Sequence, residues 1–127
     1  MSVPLTRHLA TVMFSDMMGY SRLMTENESR ALQLRNKMER ILREIIPLHD
    51  GQIIQYYGDG ALSLFNSSVQ AVHCGEALQE RFQEEPPVQV RIGLHVGDVA
   101  VDDNGAYGDS VNIASRIESF AVAGGVF

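Results

Sequence analysis

At 127 residues the chain is long enough for one domain with a single core and too short for two. Hydrophobic residues make up 45% and charged residues 20%, the balance of a globular protein. A formal net charge of −6 argues against a nucleic-acid binder, which needs Lys and Arg to displace counterions. No apolar run approaches the roughly 18 residues of a membrane span, so no membrane contact is expected from this segment. The single cysteine, Cys74, excludes an internal disulfide. Without a signal-peptide pattern, the expected location is the cytoplasm. An acidic chain can still hold an anionic nucleotide, because carboxylates bind divalent metals and the metals bind phosphates.

Residues 8 to 15 form a short apolar run that ends at Asp16 and reads as a buried strand. After a turn around Gly19, Thr25 and Glu28 have capping-box spacing. Ala31, Leu34, Met38, Ile41, Leu42 and Ile45 then share one face of a helix over 27–47. Asp50-Gly51 makes a turn. The runs Gln52 to Tyr57 and Ala61 to Phe65 flank Gly58-Asp59-Gly60 as a hairpin. Asn66 or Ser67 caps a helix whose inward face is Ala71, Cys74, Leu78 and Phe82, and Pro86-Pro87 ends it. Val88 to Val96 reads as a strand, Gly97-Asp98 as a turn organised by His95 and Asp98, and Val99 to Val101 as a short returning strand. A loop over 102–107 leads into a last helix over about 109–121.

The predicted order is β-α-β-β-α-β plus an extra strand and helix. It is an α+β, ferredoxin-like arrangement, with helices on one face of an antiparallel sheet. Residues 1–127 read as one domain without repeat or linker. The apolar ending Gly125-Val126-Phe127 reads as the start of a further strand, and the chain as a fragment of a longer protein.

Asp16 and Asp59 lie where strands turn, and in this order their strands are neighbours. Two such carboxylates can bridge two Mg²⁺ or Mn²⁺ ions about 4 Å apart for in-line displacement at phosphorus. Taken singly, Asp16 is equally a turn cap and Asp59 an ordinary hairpin residue. Met18-Gly19-Tyr20-Ser21 is a turn whose backbone N–H groups can cradle phosphate; ordinary turn geometry explains Gly19 as well. On the last helix Asn112 and Arg116 share a face, suited to a ribose oxygen and a phosphoryl group or simply to water. Ile113, Ile117 and Phe120 mark another face. His8, His49 and His73 lack metal spacing, and the six Met residues read as core and turn fillers.

HLATVMFSDMMGYSRL resembles the opening metal-binding strand of the class III adenylate and guanylate cyclases of bacterial type. QYYGDGALSLF resembles their second-metal hairpin, and RIGLHVGDV with YGDSVNIASRIES their dimer arm and transition-state helix. The resemblance runs from about His8 to Phe127. It implies that Asp16, Asp59 and the Met17 carbonyl bind two metal ions, Mg²⁺ or Mn²⁺. Met18, Gly19, Tyr20 and Ser21 would contact the triphosphate, Asn112 would position the ribose, and Arg116 would stabilise the transition state. It also implies a head-to-tail homodimer with sites at the interface, the aspartates from one subunit and Asn112 and Arg116 from the other. The expected reaction is attack of the ribose 3′-hydroxyl on the α-phosphorus with loss of pyrophosphate.

The base-recognition positions depart from the family's adenylate pattern. Gln55 and Gly105, with Ala106 beside it, stand where many adenylate cyclases carry Lys and Asp. Gln both donates and accepts, so it does not choose adenine as Lys does, although Asn104 could contribute from a shifted loop. Tyr56 and Tyr57 add bulk that would narrow the pocket. ATP is the first expectation; GTP, a pyrimidine triphosphate, or a non-catalytic nucleotide-binding module are the alternatives. A polymerase palm shares the two-metal logic but not the acidic charge or the Asn/Arg helix. The family's strands beyond this point, which carry a triphosphate-binding Lys, are expected to be missing.

Overall fold

The computed structural model describes residues 6–103 and 105–127, so Asn104 lies outside the described residues. Strand β1 (Thr6–Met17) is followed by α1 (Tyr20–Glu26), α2 (Glu28–Ile45), a short 3-10 turn (Pro47–His49), β2 (Gly51–Tyr56) and β3 (Gly60–Phe65). Then come α3 (Ser68–Phe82), β4 (Val90–Asp102), β5 (Gly105–Tyr107) and α4 (Asp109–Phe120). The strands form one antiparallel sheet in the order β2-β3-β1-β4-β5. Its first four strands have the expected ferredoxin-like order, with β1 central.

Alternation along β1 divides the molecule. Met13 and Met17 face a core built with Met38, Ile41, Leu42 and Ile45 of α2 and Ala71, Cys74, Leu78 and Phe82 of α3. Ala10 and Val12 face the opposite side, with Leu62, Leu64, Val99 and Ala114. Helices therefore cover both faces, not one: α2 and α3 lie behind the sheet and α4 in front. On the front the sheet curls until its edges meet. Ile54 and Ala106 join one cluster, and a Cβ built on Gly105 would lie 3.0 Å from Gln55 Oε1.

A bulge in β2 sets what each edge residue faces. Ile53 pairs with Ser63 but Gln55 with Leu62, so Ile54 is the extra residue. Ile53 enters the rear core and Ile54 the front one.

Four local expectations change. The 27–47 helix is preceded by the separate helix α1, and the break is capped by Asn27, whose side chain accepts from Arg30 N–H at 3.1 Å. Thr25 is no cap; its hydroxyl bonds back to the Ser21 carbonyl within α1. Gly97-Asp98 is no turn either. Both residues lie within a continuous β4 and pair with Ala10 and Leu9, while Asp98 holds Arg7 at 3.2 Å. The returning strand is β5, in the stretch expected to be loop. On α4 the buried residues are Ser110, Ala114 and Glu118, while Ile113 and Ile117 are half-buried and Phe120 is 86% exposed.

The cause is the closeness of α4 to β4. A Cβ on Gly93 would strike the Glu118 backbone, and one on Gly97 the Ser110 hydroxyl. Gly93→Ala should therefore lower the unfolding free energy by about 1–3 kcal/mol through overpacking. Gly58→Ala, where a Cβ meets open space, should stay within about 0.5 kcal/mol. Chemical denaturation of the two variants measures this difference.

Candidate active site

Asp16 stands on the front face of β1, between Gly60 of β3 and Arg91 of β4. Gly60 is required there, because a Cβ would press on the Ser15 carbonyl and the Asp16 side chain. Asp59 is brought alongside by the backbone: Met17 N–H donates to the Asp59 carbonyl at 2.8 Å. The two aspartates, expected from the sequence as a pair, line one cavity of about 380 Å³ with Phe14, Tyr57, Asn112, Ser115 and Glu118 among the other walls. Tyr57 stacks on Phe14 with ring centroids 6.1 Å apart. Tyr57 lines this cavity, whereas Tyr56 does not and pairs with Ala61 on β3.

Two side chains without an assigned role in the sequence organise this charge. Arg91 reaches both Asp16 oxygens at 3.3 Å, through Nε and Nη2, and donates Nη1–H to the Ser119 carbonyl at 3.4 Å. Its Nε also lies 3.2 Å from Glu118 Oε1, at an angle too poor for a hydrogen bond, so that buried oxygen has no hydrogen-bond partner among the described residues. Burial, and then the Asp16 carboxylate, push the Glu118 carboxyl up to about 8 against the opposing pull of Arg91. Burial and then Asp16 also raise Asp59. Arg91 was legible as a lone cation opening an apolar strand. Nothing in the sequence marks Glu118, because its partners come from strand register.

The other expected residues sit around this centre. Met17 is buried, and the exposed Met18 leads into Gly19 at φ 73, a left-handed conformation that suits glycine. Leu23 N–H to the Gly19 carbonyl is the first bond of α1, so the amides of Tyr20 and Ser21 precede the helical ladder. Gln55 and Gly105 meet across the curled sheet, with Ala106 next in β5. Asn112 lines the cavity of its own chain. Arg116 is exposed, does not line the cavity, and has no hydrogen bond or ion pair to a described residue.

The donor set suits a hard divalent cation. Among the described residues no three His, Cys, Asp or Glu side chains gather as metal ligands. Two neighbouring carboxylates beside an exposed turn match how Mg²⁺ is held by one or two carboxylates with substrate phosphates completing the shell.

The chain matches the adenylate and guanylate cyclase catalytic domain over residues 6–127. It belongs to that family. It is 38% identical over 128 residues to the Rhizobium meliloti (strain 1021) protein named "Putative adenylate cyclase 3", covering 94% of this chain and 22% of the relative. The chain thus spans about a fifth of that protein's length. Among solved structures, the adenylate/guanylate cyclase/hydrolase from Silicibacter pomeroyi aligns at 35% identity and TM-score 0.81, covering 95% of this chain and 75% of that one. The adenylyl cyclase CyaB from P. aeruginosa aligns at 26% identity and TM-score 0.85, covering 98% and 78%. This nucleotidyl cyclase domain has the α+β class III fold. Among its described residues no helix is long and apolar enough to cross a membrane.

The raised Glu118 carboxyl has a thermodynamic consequence. Its stabilising effect is complete below the unfolded-state value near about 4.3 and is lost as pH rises through about 8. Asp59 shifts the same way. The unfolding free energy of metal-free protein should therefore fall across that window, and Glu118→Gln should flatten the fall. Denaturation curves at several pH values check this; an equally steep fall in the variant would contradict it.

Proposed function

We propose that this domain converts a nucleoside triphosphate, ATP first, to its 3′,5′-cyclic monophosphate and pyrophosphate, as a cytoplasmic source of a second messenger. The observation that carries the reading is the meeting of Asp16 and Asp59 in one cavity that Asn112 also lines. Asp16, Asp59 and the Met17 carbonyl would hold two Mg²⁺ or Mn²⁺ ions, which supply charge neutralisation of the triphosphate and acidify the ribose 3′-hydroxyl. The chain's own residues bind and orient. Met18 N–H is already given to the Gln89 carbonyl at 2.8 Å, so the amides of Gly19 to Ser21 receive phosphate oxygens, while Asn112 fixes the ribose and Arg116 neutralises charge that develops on the phosphoryl oxygens. No side chain is required as general base. Asp59→Ala should abolish nearly all turnover while preserving the fold, because the structural link at Asp59 is its backbone carbonyl. A folded Asp59→Ala protein with near-normal activity would overturn the two-metal reading, and an inactive wild type would favour the regulatory module.

Arg116 lies outside the cavity of its own chain, which supports a homodimer in which a second copy supplies it. The head-to-tail form of that dimer remains part of the proposal. Asn112 at the cavity of its own chain favours a second reading, with part of the site in cis. Mixing Asp16→Ala with Arg116→Ala subunits separates the two. Recovered cyclic nucleotide means a shared site, and no recovery after verified subunit exchange means that each chain holds its own.

Base choice would rest on Gln55 against the Gly105 backbone. One ambivalent amide leaves few groups unpaired by a wrong base, so selectivity for ATP should be loose. Gln55→Lys should raise the ATP-to-GTP ratio of kcat/KM by up to about tenfold, one well-made contact. Adding Gly105→Asp should lower the overall rate, because Gly105 holds φ 147. Product chromatography with four nucleoside triphosphates and Mn²⁺ reads both effects. Rejection of GTP, UTP and CTP by more than about a thousandfold in the wild type would contradict the loose pocket.

A further inference from the structure

Arg91 stands opposite Asp16 on the neighbouring strand and grips both oxygens of that carboxylate at 3.3 Å, through Nε and Nη2. Both contacts are long for a charge-assisted bond, which normally closes to about 2.7–2.9 Å. The same Nε lies 3.2 Å from a second carboxylate oxygen, Glu118 Oε1, but is not aimed at it. That oxygen is buried and has no hydrogen-bond partner among the described residues. A buried acceptor left open in this way calls for a partner that reaches it in another state. Glu118 is held in place, because its backbone rests on Gly93, two residues beyond Arg91 on the same face of β4. The guanidinium has a pivot as well: Nη1 donates to the Ser119 carbonyl at 3.4 Å. Asp16 is the open carboxylate and Glu118 the sheltered one, their side chains 24% and 8% exposed, so an ion from solvent meets Asp16 first.

We propose that Arg91 is the resident counter-ion of Asp16 in the nucleotide-free domain, and that it yields this carboxylate to an entering metal ion by turning onto Glu118. This rests on the reading of Asp16 as a metal ligand, and it makes Arg91 and Glu118 positioning residues for metal entry. A divalent ion and a guanidinium on the same two oxygens repel at close range, in a cleft that shields charge less than open water. Glu118 gives Arg91 a new acceptor without loss of the Ser119 carbonyl. The change asks only for a turn of the side-chain end, since Nε already lies within bonding distance of both carboxylates. A tighter fork would shut the metal out. With no cation there, the two aspartates would face one another unshielded until the metal arrived.

Mn²⁺ binding to the nucleotide-free protein, followed by electron paramagnetic resonance, tests the exchange without reference to turnover. Arg91→Gln removes the competitor and should tighten Mn²⁺ binding by about two- to fivefold, the strength of a partly exposed ion pair. A residue that only steadied Asp16 for the metal would give the opposite sign. Glu118→Gln should weaken binding by a similar factor while Arg91 is present, and by little in the Arg91→Gln background, because Glu118 acts through Arg91. Arg7→Gln is the control for net charge. That arginine pairs with Asp98 at 3.2 Å on the same two strands, about 30 Å along β1 from Asp16 at strand spacing, and its loss should leave Mn²⁺ affinity unchanged. If Arg91→Gln does not fold, Arg91→Lys keeps the charge but not the two-oxygen grip and should tighten binding in the same direction. Weaker or unchanged Mn²⁺ binding in the folded Arg91 variant overturns the exchange, as does an equal gain in Arg7→Gln. An equal loss from Glu118→Gln in both backgrounds also overturns it, since Glu118 would then act on the metal directly. If wild-type Mn²⁺ binding survives Asp16→Asn, the exchange falls together with the metal reading. If binding needs Asp16 but no triphosphate yields a cyclic nucleotide, the cyclase reading fails alone and the exchange stands or falls on the binding data.

Discussion

Gly93 and Gly97 present no side chain to α4, and the helix fills the space their side chains would need. That approach selects what the helix can bury. Ser110 and Ala114 are small, and Glu118 fits only because Arg91 and Asp16 lie beneath it. Asn112 and Ser115, a fraction of a turn away, are thereby brought to the rim of the aspartate cavity. A looser helix could have buried Ile113, Ile117 and Phe120 in the ordinary amphipathic way. It would then have no reason to bring a carboxylate and an amide to the strand ends.

The charge at the site follows from the same packing. Three carboxyl groups crowd one guanidinium, and burial raises the proton affinity of Glu118 and of Asp59. Arg91 is in effect an internal counter-ion, bonded to both oxygens of Asp16. Its own charge is secured first by Asp16, against the penalty of partial burial. Rear and front of the sheet therefore differ in kind. The rear is an apolar core that fixes the strands, and the front is an open cleft in which three carboxyl groups share one guanidinium.

Local signals in the sequence carried the strands that bear the aspartates, the hairpin, the cap at Ser67 and the inward face of α3. Each depends on alternation or on a side chain reaching its own neighbours. Gly97-Asp98 misled for the complementary reason. Glycine beside aspartate is a turn signal locally, while the need for Gly97 comes from a helix arriving thirteen residues later in the chain. The pairing of Arg91 with Asp16, and the place of Glu118 beside them, emerged only through the register of β1 against β4. The apolar face of α4 is visible in the sequence, whereas the close backbone approach that buries Ser110, Ala114 and Glu118 instead is not. The break at Asn27 was hidden by a plausible Thr-x-x-Glu pattern two residues earlier.

The bulge at Ile54 separates two tasks that strand geometry would otherwise tie together. Without it, Ile53 and Gln55 would face the same side, and Gln55 would point at the rear core. With one residue left over, Ile53 and Tyr56 serve the rear while Gln55 opens to the front. A change of side chain at position 55 therefore leaves the rear packing of Ile53 untouched. A single edge irregularity thus uncouples what stands on the front of β2 from what the core behind it demands.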